Sequence, residues 1–425
     1  MKLNIFSSTL KGTLTVPPSK SHTLRAILFA CMAKGTSHIK HYLKSPDTYR
    51  MIDAVRELGA LVNVQENSLI IEGVKGSIAP KKRTIDAGNS GQVLRFIGAL
   101  SALSPSETTL TGDHSICHQR PVKALADALK EQGAVVSYLN EVNHPPLQIT
   151  GTISPGSFSL SGEDSQPVSA LLMATAFLKG PSHIYVTSPG EKPWIELTLS
   201  WMKKFGLKVK NNDFMHYEVE GNAEYEGFNT KIPGDFSSAA YPIGAALITG
   251  SCLTLYNLDM QDAQGDKKLI DTLILMGAHI EIEKDAIHIK NTGKLEGIKI
   301  DVNDFIDAIT ILAVIGCFAS SKMEIVNASI ARNKESDRIY AIATELRKMG
   351  ATIVEKEDGL IIYPSILKGT TLYSHKDHRV AMALSVAALK AEGETIIEDV
   401  ECIKKSYPSF IEDFQSLGAN IYIVA

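Results

Sequence analysis

The chain has 425 residues, of which 44% are hydrophobic and 21% are charged, and its formal net charge at pH 7 is −4. This composition is ordinary for a globular protein, which excludes wholesale disorder, and the length allows two or more domains with full cores. The small net charge gives no global case for binding nucleic acid or an anionic membrane, so any anion site must be local.

The cysteines and the apolar segments indicate the cellular location of the protein. Residues 1–16 lack the sustained apolar core of a signal peptide, and no apolar run reaches membrane-spanning length. The cysteines are dispersed, odd in number and without metal-type pairing: Cys31, Cys117, Cys252, Cys317 and Cys402. The sequence therefore predicts a cytoplasmic location and argues against a structural zinc site.

Two helical patterns alternate along the chain, six times each. The first is an amphipathic helix that runs into glycine and then a strand, and glycine there accepts the left-handed conformation that ends a helix. The second is a helix that is apolar on nearly every side, such as "SHTLRAILFACM" or "HRVAMALSVAAL", and is predicted to be buried. The glycines of the first pattern recur at spacings of 68 to 74 residues: Gly59, Gly133, Gly206, Gly277, Gly350 and Gly418.

Each repeat is interpreted as a βαβαββ-type unit, so the predicted fold class is α/β with buried helices surrounded by sheets. The sixth unit ends at "GANIYIVA" without its return strand, and two N-terminal strands within residues 1–16 are available to complete it. We therefore predict two domains of three units each. One comprises residues 1–16 with 233–425, the other is an inserted domain of residues 17–232, and the hinge lies near 17–18 and 232–234.

Polar residues precede all six buried helices, as in "PPSKS", "DAGNSG", "GEDSQ" and "SHKDHR". Ser, Asn and Asp are good helix caps in any protein, so a single such start indicates nothing more than a cap. Several helix N-termini facing one cleft could instead bind a multiply anionic ligand, and this interpretation is favoured by the cations placed at these starts. They are Lys20, Arg25, Arg95, His378 and Arg379.

A further charged segment, "NKESDR", places Lys334 and Arg338 four residues apart, where they are predicted to share a helical face beside Glu335. The bland alternative is a solvated face held by intrahelical ion pairs. No phosphate loop, dinucleotide fingerprint or Ser–His–Asp motif occurs. The sequence predicts a cleft without metal or organic cofactor, suited to transfer between small anionic substrates.

Eight segments resemble the 5-enolpyruvylshikimate-3-phosphate synthase family and occur in its order, from about Lys11 to Phe414. That resemblance implies the two-domain enolpyruvyl transferase fold, which closes on its substrates by a hinge. It also implies transfer of the enolpyruvyl group of phosphoenolpyruvate to the 5-hydroxyl of shikimate 3-phosphate, with release of phosphate, in aromatic amino acid biosynthesis. A cytoplasmic monomer is expected. The segments are "PPSKSHTLRA", "DAGNSGQVLR", "QRPVKAL", "SQPVSALLM", "DFIDA", "KESDR", "DHRVAMA" and "KKSYPSF".

The resemblance also implies a role for each matched residue. Asp307 resembles the base that takes the acceptor's hydroxyl proton, Glu335 the group that protonates the methylene carbon, and Lys20 a catalytic residue that contacts both substrates. The phosphoenolpyruvate-binding residues would be Lys20, Asn89, Gly91, Arg120, Gln166, Arg338, His378, Arg379 and Lys405. The acceptor-binding residues would be Lys20, Ser21, Arg25, Ser165, Gln166, Asp307 and Lys334.

Three acceptor-side positions depart from the family pattern. Asp164 and Glu191 stand where relatives have serines that bind the acceptor's phosphate, and Ile330 replaces a binding Asn. A carboxylate near a phosphate dianion is repulsive unless it is protonated or turned away. Two hypotheses stay open: the ordinary synthase, with these acids turned outward or replaced in function, or a related transferase that acts on a different, possibly non-phosphorylated, hydroxyl acceptor.

The residues disfavour two further classes of protein. The related UDP-N-acetylglucosamine enolpyruvyl transferases have Lys-Asn where this chain has Lys20-Ser21, and a loop Cys where it has Ser115. A binding module that kept the fold and lost catalysis would be expected to lack Lys20, Asp307 or Glu335, and all three residues are present.

Overall fold

The computed structural model describes residues 1–81, 83–291 and 293–424. The chain divides into two compact units. The first, called the discontinuous unit, comprises Met1–Ser19 and Pro233–Ala425, and the second, the continuous unit, comprises Lys20–Ile232.

Thirteen α-helices lie in the described ranges, with short 3-10 helices at Gly265–Lys267, Asn303–Ala308, Ser329–Asn333 and Val400–Lys405. The α-helices are α1 (Lys20–Met32), α2 (Pro46–Glu57), α3 (Gly91–Ser101), α4 (His114–Gln119), α5 (Lys123–Glu131), α6 (Ser165–Thr175), α7 (Lys192–Lys204), α8 (Phe236–Thr249), α9 (Lys268–Leu275), α10 (Ile309–Phe318), α11 (Arg338–Lys348), α12 (His378–Ala388) and α13 (Phe410–Ser416).

The described strands are β1 (Lys2–Phe6), β2 (Lys11–Thr15), β3 (Thr36–Lys40), β4 (Leu61–Val64), β5 (Ser68–Glu72), β6 (Thr84–Asp86), β7 (Thr108–Thr111), β8 (Val135–Tyr138), β9 (Leu147–Thr150), β10 (Ser157–Ser161), β11 (Ser182–Thr187), β12 (Val209–Asn212), β13 (His216–Val219), β14 (Asn229–Lys231), β15 (Cys252–Tyr256), β16 (His279–Ile282), β17 (Ala286–Lys290), β18 (Lys299–Asp301), β19 (Met323–Val326), β20 (Thr352–Lys356), β21 (Gly359–Tyr363), β22 (Thr371–Tyr373), β23 (Thr395–Glu398) and β24 (Asn420–Val424).

These strands form six four-stranded sheets with one shared plan. In the sheet β6-β7-β9-β8, β6 precedes the buried helix α3 and pairs in parallel with β7, which follows that helix. The antiparallel hairpin β8–β9 then completes the sheet. Three such sheets lie in each unit, which confirms the six repeated βαβαββ-type units predicted from the sequence.

The two N-terminal strands join different sheets. β1 lies between β23 and β24 and supplies the return strand of the sixth unit. β2 instead pairs in parallel with β15, so the expectation that both strands complete the sixth unit is wrong for β2. The chain leaves the discontinuous unit after β2 and re-enters it before α8. In the sheet that contains β15, β2 therefore serves as the strand that would otherwise directly precede α8. In the continuous unit, β14 fills the equivalent position by pairing in parallel with β3.

The segments where the chain passes between the units pair with each other. Pro18 forms an antiparallel bridge with Gly234, and Ser19 N donates to Pro233 O at 2.8 Å. Asp235 N donates to Pro17 O at 2.9 Å. Residues 17–19 and 233–235, the two segments next to the crossings, are therefore held together by backbone hydrogen bonds.

Helix burial follows the predicted alternation. In α1, every residue from Ser21 to Met32 is buried, and the same type of helix recurs as α3, α6, α8, α10 and α12. The amphipathic helices α2, α5, α7, α9, α11 and α13 bury one face only. The glycine after each of these has a φ between +72° and +114°, the left-handed conformation expected there. Within the described ranges, every helix is too short or too polar to span a bilayer.

Candidate active site

Arg338 lies at the centre of a buried charge cluster in the discontinuous unit. Its guanidinium contacts three carboxylates: Nη1 lies 2.7 Å from Asp307 Oδ1, and Nη2 lies 2.7 Å from Glu335 Oε2. Nε lies 2.8 Å from Asp377 Oδ2. The Arg338 side chain is 2% exposed, so water barely screens these pairs. The two proposed acid–base residues, Asp307 and Glu335, thus share one cation.

Each of those two carboxylates binds a second cation through its other oxygen. Arg379 Nη2 lies 2.6 Å from Asp307 Oδ2, and Lys405 Nζ lies 2.6 Å from Glu335 Oε1. The Arg379 and Lys405 side chains are themselves buried. Five of the residues singled out in the sequence therefore form one contiguous network, although they are far apart along the chain.

This network controls the ionisation of Asp307. Burial by itself raises the pKa of the Asp307 carboxyl, but the charges of Arg379, Arg338 and Lys334 outweigh it and hold the pKa well below its usual range. Burial likewise lowers the pKa of Arg338, and Asp377, Glu335 and Asp307 raise it well above the usual value. Asp307 is an anion in this state, with little tendency to accept a proton.

The expectation that Lys334 and Arg338 share a helical face is wrong. Helix α11 begins at Arg338, because the Asp337 side chain caps it by accepting from Tyr340 N at 3.0 Å. Lys334 precedes that cap in extended conformation, with φ −93° and ψ −151°. Lys334 therefore lies outside the helix, but its charge still lowers the pKa of Asp307, so it remains part of the cluster.

Asp377 holds the start of α12 in the same network. Its Oδ1 accepts from Arg379 N at 2.9 Å as the cap of the helix, and its Oδ2 also accepts from Ser336 Oγ at 3.1 Å. His378, the first residue of α12, is 1% exposed, with Nδ1 3.7 Å from Asp377 Oδ1. Asp377 was not among the predicted site residues, although its position before two cations at a helix start was visible in the sequence.

The ligand atoms of Glu335, Asp377 and His378 lie within 4.8 Å of one another, a grouping that could hold a metal ion. Both carboxylates already bind Arg338, and Glu335 also binds Lys405. A metal ion there would have to displace buried cations, so the donor set fits a cation-lined anion site better than a metal centre.

A second set of predicted residues meets at the start of α3 in the continuous unit. Gly91 follows the cap Ser90, and a Cβ atom on Gly91 would lie 2.6 Å from Arg120 Nη1 and 3.2 Å from Gln166 Oε1. These are three of the residues assigned to phosphoenolpyruvate by resemblance. Asn89 lies two residues before and donates from Nδ2 to Asp113 Oδ2 at 2.6 Å.

Arg95 connects this set; the sequence singled it out as a cation at a helix start but assigned it to neither substrate. Its Nη1 donates to Gly91 O and Gln166 Oε1, both at 3.3 Å, and its Nη2 donates to Pro121 O at 2.9 Å. Arg95 Nη2 also lies 3.1 Å from Asp164 Oδ2. Its place on the predicted buried helix, one turn after Gly91, was the signal that could have assigned it to the donor-binding group.

Arg25, a predicted acceptor-binding residue of α1, is another buried guanidinium. Arg25 is 1% exposed and donates to Thr198 Oγ1 at 2.9 Å, Trp194 O at 3.1 Å and Ser21 O at 3.2 Å. These acceptors are neutral, and burial lowers the pKa of Arg25 to about 9. At the start of the same helix, Lys20 Nζ lies 3.4 Å from Asp47 Oδ2.

The acids that depart from the family pattern point inward. Glu191 is 2% exposed, and its Oε2 accepts from both the N–H and the hydroxyl of Ser165, at 3.1 and 3.2 Å. Asp164 caps α6 through Gln166 N at 2.9 Å and pairs with Arg95. The suggestion that these side chains turn outward is therefore wrong, because both satisfy the free N–H groups of the helix start. Ile330, the third departure, packs against the apolar core of the discontinuous unit.

The fold and the charge networks define an α/β protein whose buried helix starts are lined with cations and paired carboxylates. Comparisons with known proteins make the assignment specific. The EPSP synthase (3-phosphoshikimate 1-carboxyvinyltransferase) family model matches residues 6–414. A Chlamydia caviae protein described as 3-phosphoshikimate 1-carboxyvinyltransferase is 45% identical, over 98% of this chain and 94% of its own.

Solved structures agree with this family. A structure of EPSP synthase from Acinetobacter baumannii is 28% identical, with a TM-score of 0.84 and full coverage of both chains. The enolpyruvyl transferase NikO from Streptomyces tendae shares the fold, with a TM-score of 0.81 at 18% identity over 99% of this chain and 98% of its own. The chain belongs to the EPSP synthase family.

Proposed function

We propose that the chain transfers the enolpyruvyl group of phosphoenolpyruvate to the 5-hydroxyl of shikimate 3-phosphate and releases phosphate. The observation that carries this proposal is the binding of Asp307 and Glu335 by the single guanidinium of Arg338, with Arg379 and Lys405 on their other oxygens. A base, an acid and three cations in one place match a reaction that moves two protons beside a multiply anionic donor.

The chemical steps balance with these groups and a proton from solvent. The acceptor's hydroxyl oxygen bonds to the central carbon of the donor while its proton passes to Asp307, and Glu335 delivers a proton to the methylene carbon. For this step Glu335 must first take up a proton from solvent. The resulting tetrahedral intermediate then returns a proton from its methyl group to Glu335 as the carbon–oxygen bond to phosphate breaks and the enol ether forms, and the proton held by Asp307 passes to the departing phosphate. Guanidinium groups suit the donor's carboxylate and phosphate because they bind such anions in a bidentate manner.

In this proposal the donor itself makes Asp307 an effective base. Without substrate, Arg338 and Arg379 hold the pKa of Asp307 well below its usual range. A bound donor would draw both guanidinium groups onto its own anionic oxygens, because a phosphate and a carboxylate offer more negative charge than one aspartate. Once these cations turn to the donor, the pKa of Asp307 rises, and the carboxylate can accept the proton of the acceptor's hydroxyl group.

The assignment of the remaining predicted residues is part of the same proposal. Lys20, Gly91, Arg120 and Gln166 would contact the donor together with Asn89 and His378. Lys20, Ser21, Arg25, Ser165, Gln166, Asp307 and Lys334 would contact the acceptor. Arg25 supports this assignment, since its guanidinium is buried among neutral acceptors and gains most from an added anion.

The family membership favours shikimate 3-phosphate over a different acceptor. Relatives at 45% identity are described as 3-phosphoshikimate 1-carboxyvinyltransferase, and no comparison supports the alternative acceptor. We also propose a cytoplasmic location, which the dispersed, unpaired cysteines favour, and a monomer, which is expected from the family resemblance. Light scattering after size-exclusion chromatography would test the monomer.

The test is phosphate release by the purified protein with phosphoenolpyruvate and shikimate 3-phosphate, in the presence of a chelator. We expect robust turnover, and no turnover with unphosphorylated shikimate at the same concentration. Glu335→Gln and Lys20→Met should each lose most activity while folding normally, and the exposed Glu412→Gln serves as the matched control. Absence of turnover in the wild-type protein, with phosphoenolpyruvate still bound, would overturn the acceptor assignment.

A further inference from the structure

Asp266 is a buried acid in the discontinuous unit that the proposed chemistry does not use. It lies in the short 3-10 helix before α9 and is 2% exposed. Its Oδ2 accepts from Ser237 Oγ, whereas its Oδ1 is buried and has no hydrogen-bond partner among the described residues. Ionising a buried carboxyl group whose second oxygen lacks a hydrogen bond raises the free energy of the folded state, because that oxygen loses its water without a replacement donor.

Asp266 borders the cation network through Ser237. The Ser237 carbonyl lies 3.5 Å from Arg379 Nη1, while Arg379 Nη2 lies 2.6 Å from Asp307 Oδ2. Ser237 thus contacts Asp266 with its hydroxyl and Arg379 with its backbone. Asp266 and Asp307 are consequently two acids placed around one guanidinium, and Asp307 alone pairs with it directly.

The surroundings of Asp266 decide its charge. Four groups on neighbouring elements act on it: Asp235 and Ser237 at the start of α8, Asp307 in the 3-10 helix Asn303–Ala308, and Arg379 at the start of α12. The remaining charged pair on the adjoining elements, Lys268 with Asp304, is closed on itself. Burial raises the pKa of Asp266 to about 7, supported by the charge of Asp307 and opposed by Arg379 and Ser237. Asp266 therefore changes charge near neutral pH.

We propose that Asp266 is a positioning residue for Arg379: as a neutral acid it leaves Arg379 available to the anionic donor, and as a carboxylate it retains Arg379 in the protein and repels that donor. This inference rests on the proposed function. It adds a residue that acts through Arg379 and touches neither substrate. Its effect should appear in the KM for phosphoenolpyruvate more than in kcat, because the retained cation weakens donor binding.

The first experiment compares the wild-type protein with Asp266→Asn, a near-isosteric neutral variant, at pH values from 6 to 8. Because both proteins meet the same donor ionisation at each pH, the ratio of their KM values isolates the enzyme's contribution. We expect the wild-type KM to match that of the variant near pH 6 and to exceed it about tenfold at pH 8. A ratio that stays constant over this range would overturn the inference.

Two further variants sharpen the test. Ser237→Ala removes the hydrogen bond that favours the ionised form of Asp266, so the rise in KM should move to higher pH. Asp271→Asn changes an exposed acid on α9 and should leave the wild-type pH profile of KM intact. A Ser237→Ala profile with its midpoint unchanged would contradict the assignment of the rise to Asp266.

A stability measurement separates this inference from the proposed function. Because the pKa of Asp266 is raised in the folded protein, its contribution to stability is full below the pKa of the unfolded chain and is lost as pH rises through about 7. The melting temperature of Asp266→Asn relative to wild type should therefore increase from pH 5 to pH 8. If the difference in melting temperature does not change with pH, Asp266 does not carry a proton at neutral pH and the inference is overturned. If the wild-type protein releases no phosphate, the proposed function is overturned instead.

Discussion

Glu191 Oε2 accepts hydrogen bonds from both the backbone N–H and the hydroxyl of Ser165, at 3.1 and 3.2 Å. Ser165 is the first residue of α6, so the carboxylate sits at the positive end of a buried helix. Glu191 itself adopts a left-handed conformation, with φ 46°, immediately before α7. Glu191 thus places an internal anion on Ser165, a residue that we propose binds the acceptor.

Replacing this internal anion should favour the acceptor's phosphate. We expect Glu191→Gln to lower the KM for shikimate 3-phosphate about threefold to tenfold, since the neutral amide neither repels the phosphate nor competes as strongly for Ser165. The same change should destabilise the protein by about 1 kcal/mol through loss of the charge at the helix start. Steady-state kinetics and denaturant unfolding check the two effects. The exposed Glu196→Gln on α7 is the control, and an increase in KM would contradict the prediction.

Gly91→Ala should weaken donor binding. The added methyl group would lie 2.6 Å from Arg120 Nη1 and 2.8 Å from Arg95 Nη1, so both buried guanidinium groups must shift. We expect the KM for phosphoenolpyruvate to rise about tenfold, with a smaller change in the KM for the acceptor. Kinetics with each substrate varied in turn provide the measurement. Equal changes in both KM values would instead indicate a general disturbance of α3.

Arg338→Lys should disable the enzyme although it keeps the positive charge. A lysine has one charged nitrogen and cannot contact Asp307, Glu335 and Asp377 with the geometry of the guanidinium. We expect at least a hundredfold loss of kcat/KM and a fall of about 3 kcal/mol in the free energy of unfolding, because buried carboxylates lose their partner. The same substitution at the more exposed Arg347 of α11 should leave both quantities nearly unchanged, and an active Arg338→Lys would refute the network's role.

Asp307 should make the substrate-free protein sensitive to acid. Its pKa is held well below the usual range, so its contribution to stability is present above the pKa of the unfolded chain and is lost as pH falls from about 5 toward 2. Unfolding free energies measured across this window should fall more steeply for wild type than for Asp307→Asn. Parallel curves for the two proteins would show that the ion pairs with Arg338 and Arg379 do not depress this pKa.

The repeated architecture was predictable because it depends on local patterns. The alternation of apolar and amphipathic helices and the glycines that end the latter repeat along the chain, and the six buried helices appear where the pattern indicated. The placement of β2 was not predictable in the same way. Its pairing with β15 depends on where the chain crosses between the units, a non-local choice that no periodicity records.

The sequence by itself determined the repeat, the starts of the six buried helices and the family, since those depend on residue order and short-range preference. Only the tertiary structure decided that Asp307 and Glu335 share Arg338, and that Glu191 points inward to Ser165. Those contacts join residues separated by as many as 31 positions, and packing of different helix starts brings them together. Because charge interactions depend on distance and burial, the ionisation of these groups follows from the folded arrangement alone.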